Sequence, residues 1–222
     1  MSDLPTKTVL IIVAHPDDET LWVGGTILSH PSWNCFIVCL CRGSDQERSN
    51  KFFKALMILK SEGVIIDLDD GPEQNPLDEK ELEQAILDLI PPKHFDLVIS
   101  HNPGGEYTRH LRHEEIGKAV IRLWNTVNIS ATELWIFAYE DGDKKYNPKA
   151  IENASICRKL TNRIWLRKYG IIRETYGFAM DSWEAETTPR IESFWSFTDS
   201  FEAVKFMHLN LSPLRKVQNS YF

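Results

Sequence analysis

Short runs of apolar residues, many of them β-branched, recur along the first part of the chain. Unbroken apolar runs of this length are typical of strands that are covered on both faces of a sheet. We therefore predict parallel strands over the following runs: Thr8–Val13, Cys35–Cys41, Val64–Leu68, Asp96–Ser100 and Glu133–Tyr139.

The segments between these runs carry apolar residues at helical spacing. We predict helices over four of them: Gly24–Ser29, Gln46–Lys60, Glu79–Ile90 and Glu114–Trp124. Strands that alternate with helices of this length indicate βαβ units and a doubly wound, mostly parallel α/β sheet. In such sheets ligand chemistry gathers at the carboxyl ends of the strands.

The pattern weakens after Tyr139. Asp141–Lys149 has the composition of a polar loop, Ile151–Tyr169 is predicted to be helical, and the last fifty residues are mixed in character. The chain has 222 residues and shows no internal repeat or linker. We therefore expect residues 1–222 to form a single domain, with a motif-bearing core over about residues 8–140 and a C-terminal part that completes the pocket.

The composition of the chain disfavours two classes of protein, those that bind nucleic acid and those that span a membrane. With 42% hydrophobic and 26% charged residues the chain is globular in character, and its net charge of −7 disfavours nucleic acid as a partner. No apolar stretch reaches the length of about 18–20 residues that a membrane span requires. Met1–Lys7 is unlike a signal peptide, so we expect a cytoplasmic protein.

The four cysteines are predicted to be reduced. Cys35, Cys39 and Cys41 fall within one predicted strand, and Cys157 stands alone. Cys39 and Cys41 are two residues apart on the same strand face, which is poor geometry for a disulfide. The spacing also matches no zinc-finger pattern, so reduced and buried thiols are expected.

A dense polar cluster follows the first predicted strand directly. Residues 14–20 read AHPDDET, which places one imidazole and three carboxylates at the end of a buried strand. A divalent cation is the usual way to remove the repulsion within such a cluster, and His15 and Asp18 are the natural pair of ligands. The alternative is a turn in which Asp18 caps the next helix, but a cap explains neither His15 nor the second acid.

A second polar cluster follows the fourth predicted strand. Residues 101–114 form a Gly-containing loop with three histidines that leads into a predicted helix. His113, at the start of that helix, would complete a site of two histidines and one carboxylate. Three protein ligands leave a position open for water and substrate, as in catalytic zinc sites. His101 either orients a ligand from behind or is simply polar at the start of the loop.

Together these motifs resemble the PIG-L/LmbE-like deacetylase family. The likeness rests on Ala-His-Pro-Asp-Asp-Glu after a first strand and on a later His-x-x-His that opens a helix, and it spans roughly residues 8–124. It implies a Rossmann-like fold and zinc-dependent hydrolysis of an N-acetyl group from an amino sugar, such as N-acetylglucosamine, or from a glycoconjugate. By the same resemblance His15, Asp18 and His113 are metal ligands, Asp17 is the general base, and His110 assists the tetrahedral intermediate.

One departure from the family concerns His110. The family often has His-Pro-Asp-His at its second motif, where this chain reads His110-Leu111-Arg112-His113. The Arg112 cation is expected to disfavour a charged His110 unless its side chain points away.

Two further residues are predicted to bind substrate. Arg48 resembles an arginine that family members use against substrate. Glu106 either takes over part of the role of His110 or binds a substrate hydroxyl, and we favour the second. The acidic run Asp67–Asp70 with Glu73 is expected to be a solvated loop. Most tryptophans are expected in the core, although one that lined the pocket would stack on a sugar ring.

Two other functions remain open at this point. One is a catalytically silent glycan-binding module of the same fold, and the other is a deacylase of a non-sugar amide metabolite. Asp17 separates the first from an enzyme, because a binding module needs no proton acceptor beside its ligands. The sequence leaves open the substrate, the metal and the oligomeric state.

Overall fold

The computed structural model describes the backbone of residues 6–211 and side chains up to residue 209. The strands are β1 Thr8–Val13, β2 Asn34–Cys41, β3 Glu62–Leu68, β4 Leu97–Ser100, β5 Leu134–Phe137, β6 Tyr139–Glu140, β7 Lys149–Ala150, β8 Ile156–Lys159 and β9 Ile191–Phe197. The helices are α1 Asp18–Leu21, α2 Gly24–Ser29, α3 Gln46–Leu59, α4 Glu79–Leu89, α5 Leu111–Asn125, α6 Asn162–Gly170, α7 Trp183–Thr187 and α8 Ser200–Leu211. A π-helical turn, Ile171–Thr175, follows α6.

Seven strands form the central sheet in the order β3-β2-β1-β4-β5-β9-β8. The first five strands in that order are parallel, whereas β9 runs antiparallel to β5 and β8 antiparallel to β9. The predicted mostly parallel, doubly wound α/β sheet is confirmed. The strand order reverses between β1 and β4, and in such sheets ligands bind at the carboxyl ends beside that reversal.

Both faces of the sheet are covered, which explains the unbroken apolar runs. Along β1, Val9 and Ile11 pack into the cluster around Phe52, while Leu10 and Ile12 pack into the cluster around Val120 on α5. Every β1 side chain from Val9 to Val13 is fully buried. This strand is therefore a rigid base for the loop that follows it.

The predicted helix over Ile151–Tyr169 is wrong in its first half. Residues Ile156–Lys159 form β8 and pair with β9, and the helix begins only after Thr161, whose hydroxyl accepts a hydrogen bond from Ile164 N. The pairing with β9 joins residues far apart in sequence, so local spacing could not reveal it.

A buried ion pair ties the C-terminal part to the first motif. Glu192 on β9 accepts hydrogen bonds from Gly25 N (2.7 Å), from Thr26 N and Oγ1 (2.6 Å each) and from Lys168 Nζ (2.7 Å). A Cβ at Gly25 would lie 2.3 Å from Leu160 Cδ1 and 2.8 Å from Glu192 Oε1, so a side chain here would have to displace both neighbours. The fit fixes α2 against β9.

The thiols are free, as predicted, but one is not buried. Cys35, Cys39 and Cys41 are buried, whereas Cys157 is exposed on β8. Burial raises the pKa of the Cys35 thiol to about 12. Among the described residues no helix has the length and apolar character needed to cross a bilayer.

Candidate active site

The chemistry-bearing side chains meet where β1 and β4 end. His15, Asp17 and Asp18 follow β1, and His113 lies in the first turn of α5, which the loop after β4 leads into. Gly117 lets α5 approach that loop, because a Cβ there would lie 2.5 Å from the carbonyl oxygen of His101. The two motifs, which are far apart in sequence, therefore share one site.

Three atoms that could bind a metal ion, referred to below as the donor atoms, form a small triangle at this point. His15 Nδ1 lies 3.2 Å from His113 Nε2 and 3.3 Å from Asp18 Oδ2, and the last two atoms are 3.4 Å apart. A tetrahedral zinc ion with bonds of about 2.0–2.2 Å has ligand atoms about 3.4 Å apart. The predicted ligand set is thus brought together, and its spacing fits a divalent cation.

The Asp18 carboxylate is held in place as a candidate metal ligand and does not cap a helix. Its Oδ1 accepts a hydrogen bond from Trp22 Nε1 (2.9 Å), and its Oδ2 accepts one from His15 N (2.8 Å). The N-cap of α1 is Asp17, which makes no side-chain bond to the helix, so the capping interpretation is not supported. Burial opposes ionisation, but the nearby imidazole of His113 holds the pKa of Asp18 well below its usual range.

Glu106 orients His113 by contacting Nδ1, the ring nitrogen that faces away from Asp18. Glu106 Oε2 lies 2.6 Å from His113 Nδ1, and Glu106 Oε1 accepts a hydrogen bond from Asn102 N (2.8 Å). This leaves His113 Nε2 turned toward Asp18. The structure does not support the predicted substrate contact for Glu106, because its carboxylate has no exposed surface and already accepts hydrogen bonds from protein groups.

His101 is the second histidine that Glu106 holds. Its Nε2 accepts a hydrogen bond from Ala14 N (3.0 Å), so its Nδ1 carries the proton and donates to Glu106 Oε2 at 3.1 Å. The lone pair of Nε2 is therefore used, although this atom lies 3.5 Å from Asp18 Oδ2. Of the two roles that the sequence left open for His101, the structure favours a supporting position next to the candidate ligands.

Asp17 lies beside the donor triangle in an unusual backbone conformation. Its φ of 123° is rare for a residue with a side chain and costs about 1–3 kcal/mol. Asp17 N donates to Glu19 Oε2 (3.0 Å), and Arg48 Nη1 donates to Asp17 Oδ2 (3.2 Å). Burial, with the adjacent charge of Asp18, raises the pKa of Asp17 well above its ordinary value, which makes its carboxylate a stronger base.

Glu19 supports Asp17 from the core. It has no exposed surface, and its Oε1 accepts a hydrogen bond from Tyr176 OH (2.8 Å). Burial raises the pKa of Glu19 to about 7. Because its other oxygen accepts from Asp17 N, Glu19 stabilises the strained turn and is not one of the converging donors.

Comparison with known proteins agrees with this arrangement. Residues 10–124, which include both motifs, match the PIG-L family, described as GlcNAc-PI de-N-acetylase. The chain belongs to the PIG-L family. An uncharacterized protein of Acanthamoeba polyphaga mimivirus is 24% identical over 185 residues, which span 76% of this chain and 75% of the viral protein.

Solved structures share the fold of this PIG-L chain. The N,N'-diacetylchitobiose deacetylase of Pyrococcus horikoshii has a TM-score of 0.67 at 17% identity, covering 95% of this chain and 88% of that one. GalB, the 4-carboxy-2-hydroxymuconate hydratase of Pseudomonas putida KT2440, has a TM-score of 0.59 at 16% identity, covering 87% of this chain and 97% of that one. A deacetylase and a hydratase therefore both resemble it in fold.

His110 packs against two of the donor histidines. Its ring centroid lies 4.6 Å from that of His15 and 4.5 Å from that of His113. Its Nδ1 is buried and has no hydrogen-bond partner in the described part of the chain. Burial, reinforced by His113 and His15, lowers the pKa of His110 to about 3, so this imidazole is neutral.

Arg112 does not act on His110 in the way its position suggested. The guanidinium is fully buried and points away, toward the loop after β3. Its Nε donates to Asp69 O (2.5 Å), Nη2 to Asn75 O (2.6 Å) and Nη1 to Glu115 Oε2 (2.5 Å). In this PIG-L chain the arginine therefore anchors a loop.

That loop carries a site residue that the sequence analysis missed. The acidic run was expected to be solvated, and Asp67, Asp69 and Glu73 are indeed exposed. The side chain of Asp70, however, is only 5% exposed, and its Oδ2 lies 3.3 Å from His15 Nε2 and 2.7 Å from Arg42 Nη2. Burial opposes ionisation, but His15, Gln74 and Arg42 together outweigh it and lower the pKa of Asp70. Its position just after β3, at the same edge of the sheet, was the available signal.

Aromatic residues from the C-terminal part border the site. The ring of Phe178 lies 5.3 Å from the Arg48 guanidinium carbon. Trp183 contacts Tyr107 edge to face at 4.9 Å, and Tyr107 in turn lies 5.4 Å from His113. Trp183 keeps 37% of its surface exposed, so its indole is open beside the site.

Proposed function

We propose that this protein is a zinc-dependent N-deacetylase that hydrolyses the N-acetyl group of an amino sugar or glycoconjugate. The observation that carries the proposal is the triangle of His15 Nδ1, Asp18 Oδ2 and His113 Nε2, with a buried carboxylate, that of Asp17, immediately beside it. Membership of the PIG-L family supports the same reaction.

The donor set favours zinc. Two imidazole nitrogens and one carboxylate oxygen form a ligand set that catalytic zinc sites use, with a further position left for water. When bound, such a cation lowers the pKa of a water and polarises an amide carbonyl. The candidate ligands are largely buried, so the chain itself limits competing water.

Asp17 is the proposed general base. Its raised pKa suits a group that takes a proton from the attacking water and later returns it to the amide nitrogen. The bond between the acyl carbon and nitrogen breaks as that nitrogen is protonated, giving acetate and the free amine. The contact from Arg48 Nη1 holds the Asp17 carboxylate in place at 3.2 Å.

His110 and Arg48 are proposed to contact the reacting group and the substrate, respectively. A neutral His110, packed against His15 and His113, serves as a hydrogen-bond partner for the oxyanion rather than as a charged one. The side chain of Arg48 is 38% exposed, which leaves part of its guanidinium free for a substrate oxygen.

The open indole of Trp183 supports a sugar as substrate. Aromatic faces accept the apolar face of a ring, and Trp combines such a face with one polar N–H group. Trp183 and Phe178 both belong to the C-terminal part, so we propose that residues 170–211 help to close the pocket; residues 212–222, which were expected to take part as well, lie outside the described residues. The resemblance to a chitobiose deacetylase is compatible with a sugar, although at 17% identity it concerns the fold.

A screen for acetate release tests the function. The zinc-loaded protein is incubated with N-acetylated sugars that are free, nucleotide-linked or lipid-linked, and with non-sugar N-acetyl amides. Acetate from one of the sugar classes is the expected result. Turnover restricted to the non-sugar amides would make the protein a deacylase of another metabolite, and saturable sugar binding without acetate would make it a glycan-binding module.

A further inference from the structure

His15 presents its two ring nitrogens to different surroundings. Nδ1 faces the other two donors, Asp18 Oδ2 and His113 Nε2. Nε2 is buried and makes no hydrogen bond of good geometry with the described residues. Asp70 Oδ2, at 3.3 Å, is a carboxylate oxygen that this nitrogen faces. A buried ring N–H without an acceptor is costly, so the neighbour of Nε2 matters for which tautomer His15 adopts.

Asp70 is itself fixed in place. Its Oδ2 pairs with Arg42 Nη2 at 2.7 Å, and its Oδ1 accepts a hydrogen bond from Gln74 Nε2 at 3.0 Å. These contacts use one group from the loop after β2 and one from the same loop as Asp70. The carboxylate therefore has little freedom to move away from His15.

The loop that carries Asp70 is fastened to the helix that carries His113. Arg112, which has no exposed surface, donates to the backbone oxygens of Asp69 and Asn75 on either side of Asp70. Arg112 directly precedes His113 on α5. The first turn of α5 thus positions His113 directly. Through the loop it also positions Asp70, the carboxylate that faces Nε2 of His15.

We propose that Asp70 is a positioning residue that accepts the Nε2–H of His15 and keeps the lone pair of Nδ1 directed at the cation site. Arg112 acts through it by holding the loop. Glu106 stands in the same relation to His113 at 2.6 Å, so each histidine of the triangle has a carboxylate behind it. Carboxylates in this position fix the tautomer and raise the basicity of a ligating histidine.

This inference rests on the proposed zinc site and is tested without turnover. Zinc affinity is measured by competition with a chromophoric chelator for wild type, Asp70→Asn and Glu73→Gln. The Asn variant keeps the size of the side chain but weakens the acceptor, and it should bind zinc about 10- to 100-fold more weakly. Glu73 is exposed on the same loop, so its variant controls for loss of one negative charge and should match wild type.

The possible outcomes separate the two proposals. If wild type binds no zinc, the proposed function fails. If wild type binds zinc and a folded Asp70→Asn protein binds it equally well, the positioning role is overturned, whatever happens to KM. Equal weakening in Glu73→Gln would also overturn it, because bulk charge would then be the cause.

Arg112→Lys tests the link through the loop. It should weaken zinc binding in the same direction, and the double variant with Asp70→Asn should be no weaker than Asp70→Asn alone, since both changes disturb one contact. Strictly additive losses would show that Arg112 does not act through Asp70. Thermal unfolding of each variant confirms that a folded protein is being compared.

Discussion

Two buried carboxylates, Glu192 and Asp18, lie near the same motif but in different surroundings. Glu192 accepts hydrogen bonds from Gly25 N, from Thr26 N and Oγ1, and from the ammonium group of Lys168. Asp18 accepts two hydrogen bonds, and its Oδ2 also faces imidazole nitrogens of His15 and His113.

The difference separates a cluster that holds the fold together from the proposed metal site. Around Glu192 the chain supplies its own cation, so the charge is balanced and the contact holds α2 against β9. Around Asp18 the donors converge on a common point, and no lysine or arginine of the described residues contacts the Asp18 carboxylate. Converging ligand atoms of this kind are costly unless a cation joins them, which is why we propose the metal there.

The largest expected effect comes from removing a histidine from the cluster around Asp18. His113→Ala or His15→Ala should lower metal content from close to one zinc per chain to none and reduce acetate release to background, because two donors hold zinc poorly. Metal analysis by mass spectrometry checks this. His94→Ala is the control, since His94 is exposed and bonds to Ser130 and Thr132. Full metal retention in both site variants would refute the ligand assignment.

Asp17→Asn should separate chemistry from metal binding. The amide keeps the shape of the side chain but cannot take a proton from water, so kcat should fall by about 10²- to 10⁴-fold while the zinc content stays unchanged. Steady-state kinetics and metal analysis on the same sample check both parts. An Asn variant with normal turnover would eliminate Asp17 as the base.

Breaking the ion pair between Glu192 and Lys168 should affect stability instead of metal binding. Lys168→Met leaves Glu192 without its counter-ion and should lower the free energy of unfolding by about 3–5 kcal/mol. The folded fraction should still bind zinc. Lys205→Met removes a lysine whose side chain is 69% exposed and should change stability by no more than about 1 kcal/mol. Denaturant titrations measure both, and equal effects would erase the distinction between the clusters.

The smallest expected effect lies at the border of the site. Trp183→Ala should raise KM for a sugar substrate about three- to tenfold with kcat nearly unchanged, since an aromatic contact is worth about 0.5–1.5 kcal/mol. Phe201→Ala, at a residue 77% exposed on α8, is the control. An unchanged KM would remove Trp183 from the substrate contact.

The sequence predicted the parallel core and the convergence of the candidate ligands because both depend on local patterns. Strands β1 and β4 are apolar runs, and in a doubly wound sheet their carboxyl ends must adjoin. His15, Asp18 and His113 follow or flank those ends, so their convergence could be anticipated. The donor spacing of 3.2–3.4 Å needed coordinates.

The supporting residues could not be predicted because they depend on contacts between distant segments. Arg112 looked like a charge beside His110, but two of its hydrogen bonds, to Asp69 O and Asn75 O, anchor the loop that carries Asp70. Glu106 looked like a substrate contact and proved to be buried behind His113. Whether a polar residue faces substrate or supports a neighbour is decided by packing, which local spacing does not encode.

The most direct test of the cation site is anomalous X-ray scattering from crystals soaked in zinc. One strong peak is expected, bonded to His15 Nδ1, Asp18 Oδ2 and His113 Nε2 at about 2.0–2.2 Å. A fully occupied zinc bound elsewhere, with no density between these three atoms, would contradict it.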